Sequence, residues 1–186
     1  MVATERTETP TDRSHLVRLL LDCGAVRFGE FTLASGQKSD VYVDIKRVWT
    51  DPARLRPIAH ALAARVGSED RLAGMELGAV PLVVATGLET GRPYVVVRKA
   101  AKSYGTQQRF EGEIPPNALV LVLEDVTTTG GSVLDTVGVL RAAGARVERV
   151  VSVVDRHQGA TERLLAAGVR LESLVTLEEL RAGARS

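Results

Sequence analysis

The chain has 186 residues, of which 45% are hydrophobic and only 4% aromatic, and its 24 basic side chains nearly cancel its 23 acidic ones. Such a chain fits one compact domain with a core of Val, Leu and Ala, and the charge balance argues against a protein that coats nucleic acid or an anionic membrane. A single cysteine, Cys23, excludes intramolecular disulfides and cysteine-rich zinc sites, and no apolar run is long enough for a membrane span.

Met1–Thr11 is polar and is expected to be frayed, with Asp12 capping the helix that follows. Met1–Arg13 carries acidic residues and no hydrophobic stretch, so it does not read as a secretory signal, and a cytoplasmic protein is the expectation. Leu16, Leu19, Leu20 and Cys23 recur at helical spacing until Gly24. Val26–Leu33 and Val41–Ile45 read as strands, with a turn at Ala34–Asp40, and together they suggest a hairpin over 26–45. Asp51-Pro52 caps and starts a helix to about Val66. From there short apolar runs at Leu72–Met75, Tyr94–Val97, Leu119–Leu123 and Val147–Val154 alternate with helical stretches at Pro81–Glu89 and Ser132–Ala143. Thr161–Ala167 is a further helix and Val169–Leu174 a further strand. Thr176 with Glu179 forms a capping-box pattern before a last helix. This alternation predicts an α/β fold, an open and mostly parallel sheet flanked by helices, in one domain over 1–186. Ligands of such sheets bind at the carboxyl ends of the strands.

One strand end stands out. Val120–Leu123 is apolar and ends in Glu124-Asp125, followed by Val126, Thr127, Thr128, Thr129, Gly130, Gly131 and Ser132 as a helix begins. A strand–loop–helix junction aims backbone N–H groups and a helix dipole at one spot, which favours an anion. The glycines let the backbone curl around it, and Thr128, Thr129 and Ser132 add hydroxyl donors. The two carboxylates only accept hydrogen bonds at neutral pH and would repel a phosphate. They suit the hydroxyls of a sugar beside it, so the motif reads a ribose and its 5-phosphate together. A pair of solvated acids before an ordinary helix cap is the bland alternative, and the run of three threonines and two glycines weighs against it. Neither G-x-x-x-x-G-K-[ST] nor G-x-G-x-x-G occurs in the chain.

Val120–Leu134 resembles the ribose-diphosphate-binding signature of the type I phosphoribosyltransferases. Phe31–Gly36, Val41–Lys46, Val97–Thr106 and Val154–Arg156 narrow the resemblance to the orotate phosphoribosyltransferase family, over about residues 15–180. The resemblance implies the type I phosphoribosyltransferase fold with the hairpin as a hood, and transfer of phosphoribosyl from its diphosphate to orotate. It implies Mg²⁺ held mainly through the substrate rather than by protein ligands, and a homodimer that shares a loop across its interface. It also implies Glu124 and Asp125 on the ribose hydroxyls, Val126 against the phosphoribosyl diphosphate, Thr127, Thr128, Thr129, Gly130, Gly131 and Ser132 around its 5-phosphate, and Thr128 with Arg156 on orotate.

Arg98–Arg109 follows a strand and is long, polar and basic. By residue types alone it reads equally as a solvated surface loop. Its departure from the sheet edge that bears the phosphate motif favours a functional one. The family resemblance makes 98–112 a mobile catalytic loop. Arg98, Lys99, Lys102 and Tyr104 would then contact the diphosphate, with Lys102 as the main catalytic cation or acid. Glu76–Pro81 is either an ordinary strand–helix turn or a second anion site. Asp155-Arg156 is either a surface pair or a guanidinium placed for a carboxylate. The chain departs from many family members, which carry Lys where Ala34 and Gly78 stand and His where Tyr104 stands. A transferase for another base and a non-catalytic regulator that binds the same diphosphate are the rival readings. Purine branches place a stacking aromatic after the position of Asp155, where none is evident, and a regulator needs a nucleic-acid surface.

Overall fold

The computed structural model describes residues 13–32, 38–100 and 108–185. A six-stranded sheet runs in the order β5-β4-β3-β6-β7-β8, and a separate antiparallel pair, β1-β2, stands apart from it. The elements are α1 (Arg13–Asp22), β1 (Val26–Thr32), β2 (Lys38–Val43), α2 (Lys46–Trp49), α3 (Pro52–Ala63), β3 (Arg71–Met75), α4 (Val80–Thr90), β4 (Tyr94–Val97), β5 (Phe110–Glu111), β6 (Leu119–Thr127), α5 (Gly131–Ala142), β7 (Arg146–Asp155), α6 (Ala160–Ala166), β8 (Arg170–Thr176) and α7 (Leu177–Gly183). β4, β3, β6, β7 and β8 are parallel neighbours, and only β5 runs antiparallel, against β4. The predicted α/β architecture with its hairpin is therefore the observed one.

The sheet is covered on both faces because its central strand is apolar on both. In β6, Leu121 and Leu123 join a core with Leu16 and Leu20 of α1, Ile58 and Leu62 of α3, and Leu82 of α4. Val120 and Val122 point the other way, into a core with Val133, Val137 and Leu140 of α5 and Leu164 of α6. This two-residue period on a doubly covered strand explains the uninterrupted apolar run in the sequence.

Several boundaries differ from the sequence reading. β6 does not stop at Leu123. It continues through Glu124 and Asp125 to Thr127, because Val126 and Thr127 pair in register with Val154 and Asp155 of β7. Backbone pairing overrides the break that two acidic side chains suggested. α3 ends at Ala63 rather than near Val66, and the short helix α2 and the two-residue β5 carry no sequence signal strong enough to find. β2 begins at Lys38 and ends at Val43, earlier than expected at both ends. The cap expected at Asp12 and the turn at 34–37 lie outside the described residues. Among the described residues, no helix is long and apolar enough to cross a membrane.

Candidate active site

The chain turns from β3 and β4 on one side of the sheet to β6, β7 and β8 on the other, so the switch point lies between β3 and β6. At the carboxyl end of that crevice the loop after β3 meets the last turn of β6. Glu124 is only 6% exposed, although it sits at the mouth of the sheet. Its Oε1 accepts a hydrogen bond from the Asp125 N–H at 3.3 Å, while Oε2 is buried with no partner. Burial first, and the adjacent Asp125 carboxyl second, push Glu124 well above the usual carboxylate range, and the Lys99 cation opposes that rise. A dry acceptor without a donor costs free energy that a ligand hydroxyl can return.

Asp125 is half-buried. Its Oδ1 accepts from the Val126 N–H at 2.8 Å, which fixes the carboxylate beside its own strand. The rest of the group lies over Gly78, where an added Cβ would overlap the carboxylate. Gly78 is thus the place where the loop after β3 makes room for an acid from β6. Sequence reading marked this glycine as part of a candidate second anion site at Glu76–Pro81 and as a departure from relatives with lysine, because nothing local shows which side chain stands opposite it.

The candidate phosphate cradle follows directly. Gly130 adopts a left-handed φ of 76° and caps α5 with no side-chain hydrogen bond. The first N–H groups of this 12-residue helix are therefore left for a ligand. Thr129 and Ser132 are exposed at its mouth, and Thr128 is half-buried. The Thr127 hydroxyl turns inward instead: it is 3.1 Å from Asp155 Oδ1 and 3.3 Å from Ser152 Oγ, with the residue 1% exposed.

Arg156 joins the same edge. Its N–H donates to the Thr127 carbonyl at 3.0 Å, and its Nη2 lies 3.4 Å from Ser39 Oγ on the hairpin. Its Nε is buried without a partner. Asp155 is not the other half of a surface pair. It is 3% exposed and accepts from the Thr127 hydroxyl and from the His157 N–H at 3.0 Å. The hairpin is fastened over this region by Arg181 of α7, whose Nη2 reaches both Asp40 carboxylate oxygens at 2.7 and 2.9 Å. The Arg181 hydrogen bond holds Asp40 below its ordinary value.

Lys99 enters through its backbone, which donates to Glu76 Oε1 at 2.9 Å. Glu76 and Ser39 are thus partners of site residues that sequence reading did not single out by side chain. Arg98 turns its guanidinium to Glu111 at 3.1 Å. Lys102 and Tyr104, like Ala34, lie outside the described residues. The described residues hold no group of three His, Cys, Asp or Glu side chains able to share a metal. The paired acids Glu124 and Asp125, one with an unpartnered buried oxygen, fit a cation that brings most of its ligands with the substrate.

No model of a known protein family matches the chain. It is 49% identical over 175 residues to the orotate phosphoribosyltransferase of Methanosarcina acetivorans, covering 93% of this chain and 94% of that one. It superposes on Mycobacterium tuberculosis orotate phosphoribosyltransferase in complex with 5-phospho-alpha-D-ribosyl 1-diphosphate with a TM-score of 0.76 and 33% identity, over 91% of this chain and 99% of that one. Against Leishmania donovani UMP synthase the TM-score is 0.82 at 33% identity, over 94% of this chain but 38% of the other, so the likeness is to part of that longer protein. With this identity over nearly its whole length, and a sheet whose switch point carries the acidic pair and the glycine cradle in sequence, the chain belongs to the orotate phosphoribosyltransferase family, with the type I phosphoribosyltransferase fold.

Proposed function

We propose that the chain transfers the phosphoribosyl group of 5-phosphoribosyl 1-diphosphate to orotate, giving orotidine 5'-phosphate and diphosphate, a step of de novo pyrimidine (UMP) biosynthesis. The observation that carries this reading is the junction of a buried, unpartnered acceptor with an uncapped helix. Glu124 Oε2 has no donor, and a few residues on, Gly130 opens the N-terminus of α5. A ribose hydroxyl answers the first and a 5-phosphate the second.

In the reaction a ring nitrogen of orotate attacks C1 of the ribose, the C1–oxygen bond to diphosphate breaks with its electron pair leaving on the diphosphate, and the nitrogen's proton passes to the diphosphate or to solvent. Glu124 and Asp125 hold the ribose hydroxyls, residues 127–132 hold the 5-phosphate, and Thr128 and Arg156 orient orotate. The Arg156 guanidinium matches the orotate carboxylate in a fork. Arg98, Lys99, Lys102 and Tyr104 serve the diphosphate, with Lys102 stabilising the leaving charge; of the segment 98–112, Phe110 and Glu111 belong to β5, and the chain between β4 and β5 acts as the catalytic loop that excludes water. Mg²⁺, bound through the diphosphate and ribose hydroxyls beside Glu124 and Asp125, would neutralise part of the leaving charge. The working form is a cytoplasmic homodimer that contributes the loop across its interface, with 26–45 as a hood over the base.

The test is loss of orotate absorbance with purified protein, 5-phosphoribosyl 1-diphosphate and Mg²⁺. No loss would end the proposal, and a panel of purine bases in the same assay checks the choice of base. Lys102→Ala should lower kcat by about 10²–10³-fold, as loss of a transition-state donor does.

A further inference from the structure

Arg109 closes the basic segment, and its guanidinium turns back to bind two separate parts of the molecule, α5 and the chain just after β4. Nη1 and Nη2 grip the Asp135 carboxylate oxygens of α5 at 2.9 and 2.7 Å, in a fork. Nη2 also donates to the Arg98 and Lys99 carbonyls at 3.1 and 2.8 Å. The Arg109 carbonyl accepts from the Arg98 N–H at 2.7 Å, so the two backbones are joined as well.

These contacts have a common geometry. Asp135 stands one turn into the helix whose N-terminus forms the phosphate cradle. Arg98 and Lys99 directly follow β4, and Lys99 is close enough to Glu124 to act on its charge. Arg109 thus spans the distance between the cation-bearing strand end and the cradle helix. A bidentate guanidinium fixes both separation and angle, which a single-point ammonium does not. The pairing is reflected in both partners: the Asp135 hydrogen bond raises Arg109, and the Arg109 hydrogen bond lowers Asp135.

We propose that Arg109 and Asp135 are positioning residues that set the register between the diphosphate half of the site, at Lys99, and the 5-phosphate half, at Gly130–Ser132. The inference rests on the proposed phosphoribosyl transfer. Neither residue needs to touch the substrate. A displacement of about 1 Å between two halves that grip one ligand can cost up to about 10²-fold.

The test uses two ligands that each occupy one half. Wild type, Asp135→Asn and Arg109→Lys are titrated calorimetrically with inorganic diphosphate and with ribose 5-phosphate, both with Mg²⁺, and melting temperatures are recorded. Both variants should bind inorganic diphosphate and ribose 5-phosphate each within about twofold of wild type, whereas KM for 5-phosphoribosyl 1-diphosphate, which spans both halves, should rise at least about tenfold while KM for orotate holds. Asp135→Glu, which keeps the charge, should recover part of that loss. An unchanged KM for 5-phosphoribosyl 1-diphosphate, or weakening of either half-ligand beyond twofold, overturns the proposal. A variant that melts early and loses both ligands counts as such weakening. Failure of the wild type to bind either ligand overturns instead the reading of the site itself.

Discussion

Glu124 and Gly78 show how single positions in this site depend on what faces them. Glu124 keeps its proton in the folded protein beyond its ordinary value of 4.5, because burial and then Asp125 disfavour the charge. An acid with a raised value contributes stability that is fully present below 4.5 and is lost as pH rises through the folded value. Glu124→Gln cannot ionise, so its stability relative to wild type should improve steadily as pH climbs through that window. Urea unfolding at a series of pH values checks this, and a constant gap would sink it. Gly78 acts through space alone. Gly78→Ala should push the Asp125 carboxylate off its seat and raise KM for 5-phosphoribosyl 1-diphosphate about tenfold, the scale of losing one charge-assisted hydrogen bond. Melting should barely move; an unchanged KM would show that Asp125 relocates without cost.

At the scale of elements, the N-termini of helices differ in how they are closed. α7 is closed by a complete capping box: the Glu179 N–H donates to Thr176 Oγ1 at 3.2 Å, and the Thr176 N–H donates to Glu179 Oε2 at 2.7 Å. The same Glu179 takes Arg13 of α1 at 2.8 Å. Thr176→Ala should therefore cost about 1 kcal/mol, read from denaturant midpoints. α5 has the opposite arrangement, a glycine at its N-cap and no side-chain hydrogen bond there. The contrast was partly legible. Thr176 and Glu179 stand three apart, and Gly130-Gly131 follows a strand, both of which are local signals. The continuation of β6 through Glu124–Thr127 was not, because it depends on hydrogen bonds from β7, a strand some 20 to 30 residues away.

In the whole molecule, the site occupies one end of the strands and an ionic network holds the other. Arg149 of β7 donates to Glu69 at 2.6 Å, to Glu172 of β8 at 3.1 Å and to the Arg65 carbonyl at 3.0 Å. The Glu69 side chain is only 5% exposed and also accepts from the Gly67 N–H at 2.7 Å. Removing one partner of such a pair leaves a charge without its counter-charge. Glu69→Ala should cost about 3 kcal/mol in chemical denaturation. Because the network lies far along the strands from the cradle, kcat/KM of the folded variant should stay within about twofold of wild type. A larger loss of turnover would mean that the two ends of the sheet are coupled.

The sequence by itself determined the fold class and the order of the main strands and helices, and it marked the segment 120–134 as the candidate site for a sugar and a phosphate. These are carried by periodicity and by residues adjacent in the chain, which set local geometry without reference to the rest. Only the tertiary structure decided that Glu124 is dry and unpartnered, that Asp125 rests on Gly78, that Asp155 serves Thr127 rather than Arg156, and that Arg109 binds Asp135. Each of those facts joins residues far apart in sequence. Their energies come from burial and contact that exist only once β3, β6 and β7 lie side by side.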